Sequence, residues 1–229
     1  MLMNWGMALS TANNAFLLAF PSLFSIINPL GMAFVFDGVT SGFDRAQRER
    51  IAGRVGVYSF FVMFVALWAG AYVLNFFGVS LSALRIAGGI VVTLSGWRLL
   101  TAESGRVHGQ EKEVPADRAE ADPDQLAFFP LTLPFTTGPG TIAVATTLGA
   151  DRPAAGAGLA VFFVGCTLAA LANALIVWIT YRYADRVSDF VGATGRLVVG
   201  RLSAFLLMCI GVQILLSASG EVLTKWRLI

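Results

Sequence analysis

The sequence predicts an all-α integral membrane protein: six transmembrane helices in two three-helix repeats of opposite orientation, with helices one and four broken. Three observations predict it. Of 229 residues, 56% are hydrophobic and only 13% charged, about half the charged share of an ordinary soluble domain. The apolar residues fall in six long blocks, 16–36, 55–77, 80–100, 126–149, 157–180 and 197–219. Each block is near the roughly 20 residues a helix needs to cross a bilayer, and none alternates with the period of a membrane barrel strand. Prolines with adjoining glycines interrupt the first and fourth blocks at corresponding places.

The elements follow in order. Residues 1–15 contain no Lys or Arg, so the positive start of a signal peptide is missing. They read as a short external lead-in, with Trp5 as an interface anchor. The first block carries Pro21 and then Asn28-Pro29-Leu30-Gly31. The second and third blocks run without proline; Asn75 reads as polar glue between helices, and Gly88-Gly89 as a close-packing surface. Residues 103–124 are charge-rich, with two prolines and no aromatic residue, the composition of a solvated tether. The chain thus divides into a first repeat (1–102), a cytoplasmic linker (103–124) and a second repeat (125–229). His108, the only histidine, lies in the linker, so neither a metal site nor a cofactor is expected. The fourth block carries Pro130, Pro134 and Thr137-Gly138-Pro139-Gly140. In the last two, Asn173 reads as packing glue, Cys166 and Cys209 as structural thiols, and the small residues 154–158 as a close-packing surface.

Sidedness follows from Lys and Arg alone, because acidic residues contribute little to orientation. Eleven of the sixteen lie in the three loops on one side, among them Arg45, Arg48, Arg50, Arg54, Arg182 and Arg186. Arg152, Lys225 and Arg227 are the three on the other. Both termini are therefore expected outside.

The interruptions carry the functional information. Proline removes a backbone donor and clashes with the carbonyl four residues back, and glycine loosens the chain further. Inside a bilayer each freed N–H or C=O costs several kcal/mol unless something satisfies it, so irregular backbone belongs against protein or a water-filled cavity. Ser22-Leu23 through Gly31 can be laid on Thr132-Leu133 through Thr141, with Pro29 opposite Pro139. Matching breaks in two halves are the sequence pointer to a transporter's central site.

At these residues the chain resembles the MarC family, also described as six-helix neutral amino acid transporters. The likeness rests on Ile27-Asn28-Pro29-Leu30-Gly31, Arg85-Ile86-Ala87-Gly88-Gly89-Ile90, Pro130-Leu131-Thr132-Leu133-Pro134, Gly138-Pro139-Gly140-Thr141-Ile142 and Gly211-Val212-Gln213, in that order over essentially the whole chain. The resemblance implies a multi-pass protein of the bacterial inner membrane, of the lysine-exporter-like superfamily, with external termini. For some members it implies movement of glycine, alanine and similar small amino acids.

No Asp or Glu lies within any block, which argues against a carboxylate proton relay and against an exporter of organic cations. It suits a zwitterionic solute whose carboxylate is held by half-helix N–H groups. Candidate binding residues are Asn28, Pro29, Gly31, Thr136, Thr137, Gly138, Pro139, Gly140 and Thr141; Phe20, Phe24, Phe34 and Phe135 would limit side-chain size wherever they face the cavity. Arg85 and Arg201, each near the start of its helix, either snorkel to headgroups or gate the route. The leading expectation is alternating-access export of small neutral amino acids, the alternative being efflux of unrelated hydrophobic compounds or antibiotics. Enzymatic activity is not expected: a thiol-based carrier wants cysteines at equivalent repeat positions, and the counterpart of Cys209 is near Leu94. The expected partners are the lipid bilayer and a small zwitterionic solute. Self-association as a homo-oligomer stays open, and no basic-aromatic patch suggests nucleic acid.

Overall fold

The computed structural model describes residues 5–101, 123–153 and 157–227, and every element among them is helical. Helix α1 (Trp5–Ile27) is followed without a loop by α2 (Pro29–Val39). Then come α3 (Arg45–Phe76) and α4 (Leu81–Thr101). The second half opens with α5 (Pro123–Leu126) and an irregular wide-turned segment, Ala127–Thr136, and continues with α6 (Pro139–Ala150), α7 (Ala157–Arg182) and α8 (Ala184–Arg227).

Two expectations need correction. Residues 5–15 are the first turns of α1 rather than a lead-in, because Ala-, Leu- and Met-rich sequence is helix-forming whether or not it lies in the apolar core of the span; the side chain of Trp5 lies outside the described residues. The small-residue stretch 154–158 lies largely outside them too, and Gly158 faces open space rather than a packed neighbour. His108 and most of the linker, 102–122, also lie outside.

Local chemistry sets the other boundaries. Asp44 caps α3 by accepting from the Gln47 amide at 2.8 Å, while the Gln47 side chain accepts from the Asp44 amide at 3.1 Å, a reciprocal capping box. Within α8, Gly192 turns the chain with φ 66° and ψ 177°, a region open in practice only to glycine. The residues before it form a short helical stretch where a loop was expected.

Among the described residues, four segments are long and apolar enough to cross a membrane: Leu9–Val39, Arg45–Phe76, Gly158–Arg182 and Leu197–Thr224. The third and fourth apolar blocks of the sequence are not among them. Arg85, Arg98 and several glycines and hydroxyls dilute α4, and residues 123–150 are cut into pieces of 4, 10 and 12 residues.

Large apolar side chains such as Leu17, Phe61, Val65, Leu168 and Leu206 point outward. Such a surface is a liability in water but costs nothing against lipid tails. Small residues hold the interior together. A Cβ on Gly96 would meet the Met208 amide, one on Gly211 would meet Thr93, and one on Gly89 would meet Leu215, so α4 and α8 cross almost backbone to backbone. Gly165 abuts the Ala12 carbonyl and Gly149 the Leu67 carbonyl, which seats α7 on α1 and α6 on α3. Asn173, buried in α7, donates to the Phe20 carbonyl at 3.2 Å and to the Ala169 carbonyl at 2.9 Å, the glue role expected of it. The main core, with Leu23, Ile27, Phe36, Ile51, Met63 and Leu131, lies among α1, α2, α3, α7 and the wide-turned segment.

Candidate functional site: two broken helices

The first break is a single residue wide. Asn28 adopts φ 47°, ψ 58°, the left-handed region, and its side-chain oxygen accepts from the Gly31 amide at 3.3 Å. Asparagine is the non-glycine residue most at home there, because its short side chain can bond locally. Pro29 then occupies the first helical position, where its missing N–H would have had no partner and its fixed φ suits the helix. The Asn28-Pro29-Leu30-Gly31 element is therefore a helix start inside a span.

The second break is longer. Phe129 (φ −129°, ψ 122°) and Leu133 (φ −113°, ψ 121°), each before a proline, are extended, as residues preceding proline prefer. Three threonine hydroxyls satisfy carbonyls that the irregular turns expose. Thr132 donates to the Ala127 carbonyl at 2.7 Å, Thr136 to the Leu131 carbonyl at 2.6 Å, and Thr137 to the Thr132 carbonyl at 3.2 Å. Gly138 (φ −72°, ψ −178°) caps α6 and Pro139 is its first residue. Both breaks thus end in the same device, a cap residue followed by proline at the start of a new helix. First-turn N–H groups, here at Leu30–Gly31 and Gly140–Thr141, have no partner within their own helix and carry the positive end of its dipole.

The breaks converge. Ile26, just before the first, packs with Val92 of α4 and Leu207 of α8, with Val144 of α6 alongside. Gly140, just after the second, lies so close to the same Val92 that a Cβ would overlap it, and Gly88 stands against Ala143. Thr136, Thr137 and Thr141 are buried. Phe20 and Phe135 lean on the main core.

Each half-helix beyond a break is clasped at its far end by an arginine. Arg48 of α3 pairs with Asp37 in the last turns of α2 and donates from Nε to Thr40 Oγ1 at 3.1 Å. Arg85 of α4 donates from Nε to Thr147 Oγ1 of α6 at 3.3 Å and pairs with Asp151, 3.4 Å away, and with Glu221 of α8. A cation at a helix C-terminus complements the dipole. Arg85 thus ties α4 to α6 and α8, whereas Arg201 stands on the exposed surface of α8. By sequence position alone Arg48 reads as one of the loop charges.

One further residue was invisible to sequence reasoning. Tyr181, buried in α7, stacks on Phe36 of α2 with ring centroids 4.7 Å apart and places its hydroxyl 2.8 Å from Thr136 Oγ1. The Thr136 proton is committed to Leu131, so Tyr181 is the donor. No local pattern in the sequence signals a contact across 45 positions. Beside Tyr181 lies a cavity of about 80 Å³, lined also by Phe43, Arg45, Arg48, Glu49, Arg182 and Asp185.

These features define a class: a polytopic helical membrane protein with two interrupted helices whose breaks both pack beside Val92 of α4. The chain matches the family model "MarC family integral membrane protein" over residues 13–223. It is 35% identical over 212 residues to a Citrobacter koseri protein named "UPF0056 inner membrane protein MarC", covering 90% of this chain and 94% of the relative. Proteins of the same name from Escherichia coli and Shigella flexneri are 33% identical over 207 residues, with the same shares covered. No solved structure matches. The chain belongs to the MarC family, and with it to the integral proteins of the inner membrane.

Proposed function

We propose that the chain transports small neutral amino acids of the size of glycine and alanine, exporting them by alternating access, and that it is not an enzyme. The observation that carries this reading is the pair of helix starts at Asn28-Pro29 and Gly138-Pro139, which offer main-chain N–H groups and positive dipole ends to a carboxylate inside the span. The candidate ligands are Asn28, Pro29, Gly31, Thr136, Thr137, Gly138, Pro139, Gly140 and Thr141. The Thr136 and Thr137 hydroxyls already donate to backbone, and Thr136 also accepts from Tyr181, which leaves one lone pair on Thr136 and both on Thr137 for an ammonium.

A six-span inverted repeat, with both termini outside, is part of the same proposal, and the packing supports it. If α2 corresponds to α6, α3 to α7 and α4 to α8, the main contacts should have counterparts. Helix α2 packs on α7 and α8 while α6 packs on α3 and α4; α1 packs on α7 while the segment Ala127–Thr136 packs on α3. The test is flux: proteoliposomes loaded with labelled alanine or glycine should release it in a protein-dependent way, and no release under a proton or a sodium gradient would refute transport of these solutes.

A further inference from the structure

The cavity beside Tyr181 lies at the arginine-rich end of the bundle, away from the converging helix starts, and its lining is charged with both signs. Arg45, Arg48 and Glu49 of α3 line it together with Arg182 and Asp185. Glu49 bridges two of them, with Oε1 at 3.4 Å from Arg45 Nε and Oε2 at 3.0 Å from Arg182 Nη2. Each contact engages one nitrogen of a guanidinium that carries five N–H donors in a fork suited to carboxylates. A lone anion would meet the two acids and a lone cation the three arginines. A small zwitterion answers both, its carboxylate on Arg182 and Arg45 and its ammonium on Glu49 and Asp185.

The floor of this cavity is the side chain that touches both interrupted helices. Tyr181 stacks on Phe36, downstream of the first break, and donates to Thr136, immediately before the second. A ring in that position separates the cavity from the buried threonines behind it.

We propose that this cavity is a docking subsite for the zwitterion on its way to the helix breaks, with Tyr181 as the door between the two. The inference rests on the transport reading for its ligand and deepens it by naming a second site. Opening the door breaks the Tyr181–Thr136 hydrogen bond and unstacks Phe36, so weakening either favours the open form.

The test uses the full-length protein in vesicles with Cys166→Ala and Cys209→Ala, probed by a membrane-impermeant thiol reagent. Ser41→Cys, in the exposed turn after α2, marks the arginine-rich side. With Phe43→Cys in the cavity, glycine and alanine should slow labelling, while acetate and methylammonium should not. With Thr137→Cys behind the door, Tyr181→Phe should raise labelling from the Ser41 side about two- to tenfold, the worth of one hydrogen bond, and Tyr181→Leu should raise it further. Protection by acetate as good as by glycine, or no protection, would overturn the zwitterion subsite. Unchanged labelling at position 137 in both Tyr181 variants would overturn the door. Protection at position 43 together with no alanine flux in vesicles holding the unsubstituted protein would uphold the subsite and sink the transport reading instead.

Discussion

Asn28 offers a way to separate what holds the first break together from what the break does. It has two structural tasks, the left-handed backbone at φ 47° and the cap on the Gly31 amide. Alanine fails at both: a lost cap costs about 1 kcal/mol, and a Cβ-bearing residue without a local bonding partner costs about 1–2 kcal/mol in the left-handed region. Asn28→Ala should therefore destabilise by roughly 2–3 kcal/mol, a fall in Tm of about 4–12 °C at this chain length. Glycine is at ease in that backbone and loses only a few tenths of a kcal/mol as a cap, so Asn28→Gly should stay within about 2 °C. Asn28→Asp keeps the acceptor and should be as stable as the original. It does, however, put a negative charge beside the N–H groups assigned to the carboxylate. At about 4 Å and an effective dielectric of 20 that repulsion is about 4 kcal/mol, up to roughly a thousandfold in affinity. Thermal unfolding in detergent and alanine flux in proteoliposomes read the two tasks separately. Equal stability of the Ala and Gly variants would refute the account of the break, and undiminished flux in Asn28→Asp would refute its use.

Other positions give independent tests. Gly149→Ala should destabilise by about 3 kcal/mol or more in thermal unfolding, because its Cβ would overlap the Leu67 carbonyl, which cannot rotate aside. Gly140→Ala clashes with the Val92 side chain and touches the Gly88 carbonyl at ordinary contact distance, so adding Val92→Ala should restore most of the lost stability in a double-mutant cycle. Gly192→Ala should cost about 1–3 kcal/mol from its backbone angles alone, measured by unfolding of the purified protein. Asn173→Ala should cost only about 0.6 kcal/mol, the usual worth of a side-chain bond between membrane helices, despite its burial.

How much of this was legible in the sequence depended on how far apart the causes lie. The breaks were, because they follow from proline and glycine acting on their own neighbours: Pro29 and Pro139 begin helices where the spacing placed interruptions. The close-packed role of Gly88-Gly89 was also readable. The box of Asp44 and Gln47 stood in the open as a cap followed three residues later by its partner, and simply went unread. The clasp of Arg48 on Asp37 and the bond of Tyr181 to Thr136 could not be read, since each joins separate helices. Of the six apolar blocks, four correspond to segments that qualify on length and composition among the described residues, while α4 carries Arg85 and Arg98 and prolines divide 126–149.

The central claim is that main-chain dipoles at two interior helix starts hold a solute by its carboxylate. The most direct measurement compares thermal stabilisation of the purified protein by alanine, by alaninamide, which lacks the carboxylate, and by ethylamine. A ligand at about one hundred times its Kd stabilises by about 2.7 kcal/mol. Alanine should raise the unfolding temperature and the other two should leave it unchanged; stabilisation by alaninamide equal to that by alanine would contradict the claim.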